Sequence, residues 1–246
     1  MNIDIVSKDK RYEYLNGLLC QNGFKSRICR CNEVNNPNVL ILSVRNELTD
    51  RELIEVFKKV SPQAIVFSGS GHRIKEYFKG KIIDYSKNED FLEKNAYLTA
   101  EAMVSIWHSE LLESPKEKMI LISGYGRIGK HLAHIFSSLG AKIYVFARRN
   151  EVKEEILKDG YIPVSLDFSS EVDAIFNTVP ATIFSKEQIE KIPQEVSLFD
   201  LASICGFEDK ARVKFALGLP GKILPNGAGQ VVYETILAFL LRERTI

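Results

Sequence analysis

The segment "MILISGYGRIGKHLAHIFSSLG", from Met119 to Gly140, restricts the folds open to this chain more than any other segment. A short apolar run leads into three glycines spaced G-x-G-x-x-G, and a helical pattern with apolar residues three and four positions apart follows. Such strand–turn–helix connections are typical of parallel sheets covered by helices. The segment therefore predicts an α/β fold, and its glycines predict a site for a dinucleotide.

The same alternation of strand and helix patterns continues on both sides of this segment. Short apolar runs such as "NVLILSV" and "AIVFSG" precede it, and "KIYVFA" and "SLFDLAS" follow it. A long helical pattern that ends before Pro115 separates the two series. We expect two Rossmann-like parallel-sheet domains joined by crossing helices. The N-terminal α/β domain covers residues 1–94, and a dinucleotide-binding domain covers 95–246, including the connecting and C-terminal helices.

Composition favours small-molecule chemistry over binding to large anionic partners. The 246 residues contain 33 Lys and Arg against 32 Asp and Glu, for a net charge of +1 without a strongly basic run. This balance predicts no nucleic-acid partner and no anionic membrane surface. No apolar run is long enough to span a membrane, and the N-terminus lacks the apolar segment of a signal peptide, so we expect a cytoplasmic protein. Four scattered cysteines and four histidines predict neither a disulfide framework nor a metal site.

The glycine segment and three later strand ends form the predicted nucleotide site. Gly124 allows the tight turn, Gly126 lets the backbone approach the pyrophosphate, and Gly129 allows close packing of helix on strand. The ends of "VFARRN", "FNTVP" and "DLAS" fall at the carboxyl edge of the sheet, where ligands bind in such folds. The predicted cofactor-binding residues are Gly124, Tyr125, Gly126, Arg127, Ile128, Gly129, Ala147, Arg148, Arg149, Asn177, Thr178, Val179, Pro180 and Ala202.

The second strand of this domain indicates which dinucleotide is bound. NAD-binding folds carry an acidic residue at its end for the ribose hydroxyls, but here Ala147, Arg148 and Arg149 occupy that place. Guanidinium groups bind a 2′-phosphate, so the sequence favours NADP and leaves NAD as an alternative. The competing interpretation is that both arginines are ordinary solvated surface residues.

Beyond the glycine motif, the chain resembles the A subunit of dipicolinate synthase. The resemblance rests on "NAYLTAEAMV", "SGYGRIGKHLAHIF", "FNTVPATIFSKEQI", "LFDLAS" and, most specifically, "LGLPGKILPNGAGQ". It is weaker near the N-terminus, where "KDKR" keeps Asp9 and Arg11 of a family Gly-Gly-Asp-x-Arg stretch but lacks both glycines. The segment "ICGFED" after "DLAS" also departs from the family pattern.

The resemblance implies a reaction, a cofactor and a partner. It implies an NAD(P)-dependent oxidoreductase subunit that acts beside a flavoprotein-like B subunit of dipicolinate synthase. Together they would oxidise a dihydro- or hydroxytetrahydro-dipicolinate, a small dicarboxylate, to dipicolinate for spore formation. A homo-oligomer is also compatible with it.

Such a reaction requires a base for the proton and donors for two carboxylates. Glu101 is the candidate base and Lys222 the candidate cation, and both are placed in a cleft between the domains. The other predicted substrate-binding residues are Ser68, Gly69, Ser70, Asn95, Thr99 and Gly221. Asn95, Thr99 and Glu101 are expected at the start of the connecting helix, where the alternative is that they only cap it.

Two other functions remain open from the sequence. A free-standing NADP-dependent dehydrogenase of the shikimate dehydrogenase type would share the "NTxP" strand end, Asn177 to Pro180, and the basic residues after the second strand. A non-catalytic nucleotide-binding subunit would use the same nucleotide site without turnover.

Overall fold

Every strand pairing is parallel in the computed structural model, which describes residues 1–45, 48–69 and 71–242. The chain forms two compact units, and each contains one sheet with helices between its strands. The predicted fold class is therefore confirmed. Within the described residues, no helix combines the length and the apolar character that a membrane crossing requires.

The first unit combines Met1–Asn95 with the C-terminal segment that begins at Pro220. Its sheet has the order β2-β1-β3-β4-β5. The order in which strands are added to the sheet therefore reverses between β1 and β3, while all strands stay parallel. In doubly wound sheets of this order, the reversal opens a crevice at the carboxyl ends of these two strands. The strands are β1 (Asn2–Val6), β2 (Lys25–Ile28), β3 (Val39–Leu42), β4 (Ile65–Ser68) and β5 (Lys81–Asp84).

Helices cover this sheet and close its core. The core on one side includes Leu40, Leu42, Val66, Phe57 and Ile74, all with less than a tenth of their surface exposed. Central strands such as β3 consist of apolar residues alone because both faces of a parallel sheet are covered. The helices of this unit are α1 (Arg11–Gln21), α2 (Asp50–Phe57), α3 (Gly71–Ile74) and α9 (Pro225–Arg242).

The C-terminal helix α9 belongs to the first unit, whereas the sequence analysis assigned it to the second domain. It packs along α1 through Gly229, where an added Cβ would lie 2.5 Å from the Arg11 carbonyl oxygen and 3.1 Å from Tyr14 Cβ. Near its end, Phe239 packs edge-on against Phe67 of β4 at 5.5 Å between ring centres. Helical periodicity identifies the buried face of α9 but not the helix or sheet that it packs against.

The second unit, Ala96–Leu219, has a sheet in the order β11-β10-β9-β6-β7-β8. This is the strand order of dinucleotide-binding folds, with its reversal between β6 and β9. The strands are β6 (Met119–Ser123), β7 (Lys142–Phe146), β8 (Ile162–Val164), β9 (Ala174–Asn177), β10 (Ser197–Asp200) and β11 (Val213–Phe215).

Aromatic packing anchors the helices of the second unit. Trp107 of α4 and Phe136 of α5 pack against Phe176 of β9, with ring centres 5.0–6.1 Å apart. The helices are α4 (Glu89–Leu111), within which one boundary between the units falls, α5 (Arg127–Ser138), α6 (Asn150–Lys158) and α7 (Lys186–Lys191). Helix α8 (Leu219–Ile223) starts at the last residue of the second unit, and its other residues belong to the first unit. Gly140 follows α5 with φ +89°, as a helix-ending glycine does.

The close approach of α1 and α9 can be tested with a pair of helical glycines. We expect Gly229→Ala to lower the free energy of unfolding by about 1–3 kcal/mol, because its Cβ meets backbone that must move. The matched variant Gly17→Ala adds a Cβ in α1 with no atom within 4 Å, and should stabilise by up to about 1 kcal/mol. Urea unfolding measures both, and equal effects would contradict this packing.

Candidate nucleotide-binding site

The glycine segment forms the turn between β6 and α5 at the reversal of the second sheet. Gly124 has φ +95°, and a Cβ there would lie 2.6 Å from Thr178 Oγ1 and 2.9 Å from Val179 Cγ2. A Cβ at Gly129 would collide with the carbonyl oxygen of Gly124. Both positions therefore require glycine, the first for its conformation and the second for the contact between helix and turn.

Gly126 differs from the other two because an added Cβ would meet no atom within 4 Å. It lies directly before the first turn of α5, and its surface is exposed. The first N–H groups of a helix lack intrahelical partners and bind anions, helped by the helix dipole. This open position at a helix N-terminus fits a pyrophosphate that approaches the backbone closely.

The end of β7 presents the two predicted arginines to solvent. The Ala147 side chain is buried, whereas the side chains of Arg148 and Arg149 are exposed and form no hydrogen bond or ion pair with a described residue. Arg149 directly precedes α6, so the N-terminus of a second helix lies beside them. A phosphate at this position would meet two guanidinium groups and the positive end of a helix dipole.

Tyr125 and Arg127, both predicted cofactor contacts, have different surroundings. The Tyr125 side chain is buried, and its hydroxyl donates a 2.7 Å hydrogen bond to Asp159 at the end of α6. Burial, and then the Asp159 carboxylate, raise the pKa of this hydroxyl. The Tyr125 side chain thus fixes the glycine turn to α6. Only the backbone of Tyr125 is left to contact a cofactor. Arg127 is exposed at the first position of α5.

A buried polar network connects the carboxyl ends of β6, β9 and β10. Strands β9 and β10 are the two that were expected to end at the nicotinamide. Asp200, fully buried, accepts hydrogen bonds from Asn177 Nδ2 at 3.0 Å and from the backbone N–H groups of Ala202 and Gly206. Asn177 Oδ1 accepts from the Ser123 hydroxyl and from the Val179 N–H. The network fixes the loops that follow β9 and β10.

The same network determines the surroundings of four predicted cofactor-binding residues, namely Thr178, Val179, Pro180 and Ala202. Thr178 donates from Oγ1 to the Ser123 carbonyl oxygen at 2.9 Å, so it joins the β9 loop to the glycine turn. Val179 is half-buried and Pro180 is exposed, whereas Ala202 is buried and donates its N–H to Asp200. The structure therefore places the predicted glycine turn and the β9 and β10 loops on adjacent strands of one sheet edge.

The predicted substrate-binding residues of the first unit lie at strand and helix ends. Ser68 is the last residue of β4 and fully buried, and Gly69 follows it so close to Val44 that a Cβ would collide with the Val44 carbonyl oxygen. Gly221 is buried in α8, while the neighbouring Lys222 side chain is exposed. Ser70 lies outside the described residues.

The prediction that Asn95, Thr99 and Glu101 start the connecting helix is wrong. Helix α4 begins at Glu89, and the Asn88 side chain caps it by accepting from the Phe91 N–H at 2.9 Å. All three residues are therefore interior, and none of them is the cap. At 100° per residue, Asn95 and buried Thr99 share one face of α4, whereas the exposed Glu101 lies on another. The cap was missed because the helical pattern alone does not show its first turn.

Comparisons with known proteins agree with this geometry. Residues 89–202 match the model of the NAD binding domain of D-isomer specific 2-hydroxyacid dehydrogenases. The A chain of dipicolinate synthase from Bacillus subtilis is 21% identical, with a TM-score of 0.78 over 99% of this chain and 96% of that chain. Its counterpart in the dipicolinate synthase of Bacillus halodurans is 21% identical, with a TM-score of 0.81 over 97% of each chain.

A more distant fold match is D-lactate dehydrogenase from Escherichia coli, 12% identical, with a TM-score of 0.68 over 99% of this chain and 97% of that chain. Curated proteins gave no match.

The chain has the fold of a nicotinamide-dependent dehydrogenase. The resemblance to the A subunit of dipicolinate synthase, inferred from sequence motifs, is confirmed at the level of the fold, and the family model supports binding of a nicotinamide dinucleotide.

The predicted cofactor-binding residues do not include two members of the polar network, Ser123 and Asp200, although the "DLAS" segment that Asp200 begins was placed at this edge of the sheet. The signal was present, because β6, β9 and β10 each end in a polar residue after an apolar run. In a parallel sheet these ends share one edge, so such residues come together on adjacent strands. No group of three or more His, Cys, Asp or Glu side chains among the described residues is arranged to hold a metal ion.

The network predicts a pH-dependent effect for Asn177→Asp. The new carboxyl faces Asp200, so its pKa in the folded state should rise above the unfolded value. A raised pKa means that stability is retained at low pH and lost as the pH increases. We expect a loss of about 1–3 kcal/mol at pH 8, and a clearly smaller loss at pH 5.5.

Urea unfolding at the two pH values measures this effect. The control Asn32→Asp adds the same charge at an exposed position. A loss that does not depend on pH would contradict the direct contact between residues 177 and 200.

Proposed function

We propose that the protein is an NADP-dependent oxidoreductase subunit that forms a pyridine dicarboxylate from a partly reduced cyclic precursor. The observation that carries the cofactor assignment is the end of β7, where Arg148 and Arg149 are exposed without a described partner and no acidic side chain precedes them. The reaction and a flavoprotein-like B-subunit partner rest on the likeness to the A subunit of dipicolinate synthase.

The nucleotide-binding part of this proposal depends on the described geometry alone. Gly126 leaves the space that a pyrophosphate needs, and the N-terminus of α5 offers N–H donors. The loops after β9 and β10, held by Asn177 and Asp200, form the floor for the nicotinamide ring. A bound nicotinamide supplies the hydride acceptor.

The substrate part assigns roles to residues named from the sequence. Oxidation of a ring carbon transfers a hydride to the nicotinamide and releases a proton, which needs a base. The Glu101 side chain is exposed and forms no hydrogen bond or ion pair with a described residue, so its carboxylate is available to accept that proton. The Lys222 ammonium is the proposed cation for a substrate carboxylate. The N–H groups of Gly69 and Gly71 already donate to the Ser43 carbonyl oxygen and the Asp84 carboxylate, and Asn95 and Thr99 lie on a different face of α4 from Glu101, so none of these is assigned to the substrate.

Cofactor choice is tested by binding of NADP and NAD to four variants. Arg148→Ala and Arg149→Ala should each weaken NADP binding by more than about tenfold and change NAD binding little, because a charge-assisted hydrogen bond contributes about 1.5–3 kcal/mol. Gly126→Val should abolish binding of both cofactors because its side chain fills the open space. Arg51→Ala, which removes an equally exposed arginine, is the control. Titration calorimetry gives the affinities, and an unchanged ratio of NADP to NAD affinity in both arginine variants would refute the assignment.

The reaction is tested by mixing the protein, with and without a B subunit, with hydroxytetrahydrodipicolinate and NADP. We expect dipicolinate absorbance to rise, and Glu101→Gln to lower turnover by about 10²-fold or more without changing NADP affinity. Glu190→Gln, at an exposed glutamate of α7, is the matched control. Equal losses of turnover and of cofactor binding would show that Glu101 is structural. Cofactor binding without any turnover would favour a non-catalytic nucleotide-binding subunit.

A further inference from the structure

The crevice of the first unit contains a buried arginine that the proposed function does not use. Arg11 is the first residue of α1, which follows β1 at the reversal of the sheet, and its side chain is only 5% exposed. Arginine is almost never this buried unless it is paired. Its charge at this position therefore needs an explanation.

Asp9 accepts a hydrogen bond from only one of the three nitrogen atoms of the Arg11 guanidinium group. Its Oδ2 accepts from Arg11 Nε at 2.9 Å, while its Oδ1 accepts from the Arg11 backbone N–H at 3.0 Å. The carboxylate thus also caps the start of α1, where the helix dipole stabilises it. Because Asp9 binds through Nε alone, the two Nη groups have no hydrogen-bond partner among the described residues.

The unpaired Nη groups of this buried side chain are not completely sealed from solvent. In the described part of the chain, the buried polar atoms without a partner are Asn16 Oδ1, Ser26 Oγ and the Tyr85 hydroxyl. The Nη atoms are not among them, so the remaining 5% exposure of this side chain includes its donor end. Asp9 therefore holds Arg11 through Nε and leaves its two Nη donors with a small opening to solvent.

Gly221 covers one side of the Asp9–Arg11 pair. It packs directly on the ion pair, since an added Cβ would lie 2.5 Å from both Asp9 carboxylate oxygens and 2.7 Å from Arg11 Nη2.

We infer that Arg11 binds one carboxylate of the substrate through its two Nη groups. A carboxylate matches the two parallel N–H donors, carries a single charge and fits a small opening. A phosphate dianion would be repelled by Asp9, which already balances the arginine charge. The inference rests on the proposed function in that the carboxylate belongs to its substrate, and it transfers the main cationic contact from the exposed Lys222 to Arg11.

Titration calorimetry on the full chain tests this site with pyridine-2,6-dicarboxylate, pyridine-2-carboxylate and pyridine-2-carboxamide. The wild type should bind both carboxylates, and the monocarboxylate more than tenfold more tightly than the carboxamide. Arg11→Lys keeps the charge without the fork and should lose most of this preference, with at least tenfold weaker carboxylate binding. Arg11→Met should show no detectable binding of any carboxylate.

The controls separate binding from folding. Lys8→Met removes an exposed charge from the same loop and should leave carboxylate affinity within about twofold of wild type, as expected for a solvated charge. Circular dichroism shows whether each variant is folded. If Arg11→Met is not folded, Arg11→Lys decides the outcome. Inorganic phosphate should not compete.

Either of two results would overturn the inference: wild-type protein that binds neither carboxylate, or folded Arg11→Lys protein that binds them as the wild type does. NADP affinity is measured on the same samples. A wild-type protein that binds carboxylates through Arg11 but does not bind NADP would instead contradict the proposed function.

Discussion

The buried Asp200 carboxylate determines how the nucleotide edge of the second sheet is built. No cation balances this charge within hydrogen-bond distance among the described residues, so three N–H donors stabilise it: one from Asn177 and two from the loop backbone. The bonds to Ala202 and Gly206 hold the backbone of the loop after β10 against the end of that strand. Asn177 transmits the same constraint to β9 and β6, since its amide oxygen accepts from Ser123 and from Val179.

Glycines supply the second constraint, because they bring backbone elements closer than any side chain would allow. Gly129 lets α5 pack on the turn at Gly124, and Gly229 lets α9 pack on α1. Gly221 does the same for the Asp9–Arg11 pair. Gly126 has no such contact, and this difference distinguishes a position that packs against protein from one that leaves room for a cofactor.

Burial distinguishes the three arginines to which binding roles are proposed. Arg148 and Arg149 are exposed at a strand end, where they are suited to a phosphate that arrives from solvent. Arg11 is buried and oriented by Asp9, so little side-chain entropy remains to be lost when an anion binds. Lys222, exposed on α8, lacks this preorganisation.

The sequence alone determined the α/β class, the two parallel sheets and the glycine turn, because these follow from short-range periodicity and spacing. The first turn of α4 was not predictable in this way, and Glu101 consequently falls in the helix interior and on a different face from Asn95 and Thr99. Only the tertiary structure assigned α9 to the first unit and joined Ser123, Asn177 and Asp200 into one network. It also buried Arg11 beneath Gly221, about 210 residues away in the chain. Contacts between residues so distant in sequence depend on which strands become neighbours in the sheet. The local pattern of apolar and polar residues does not determine which strands these are.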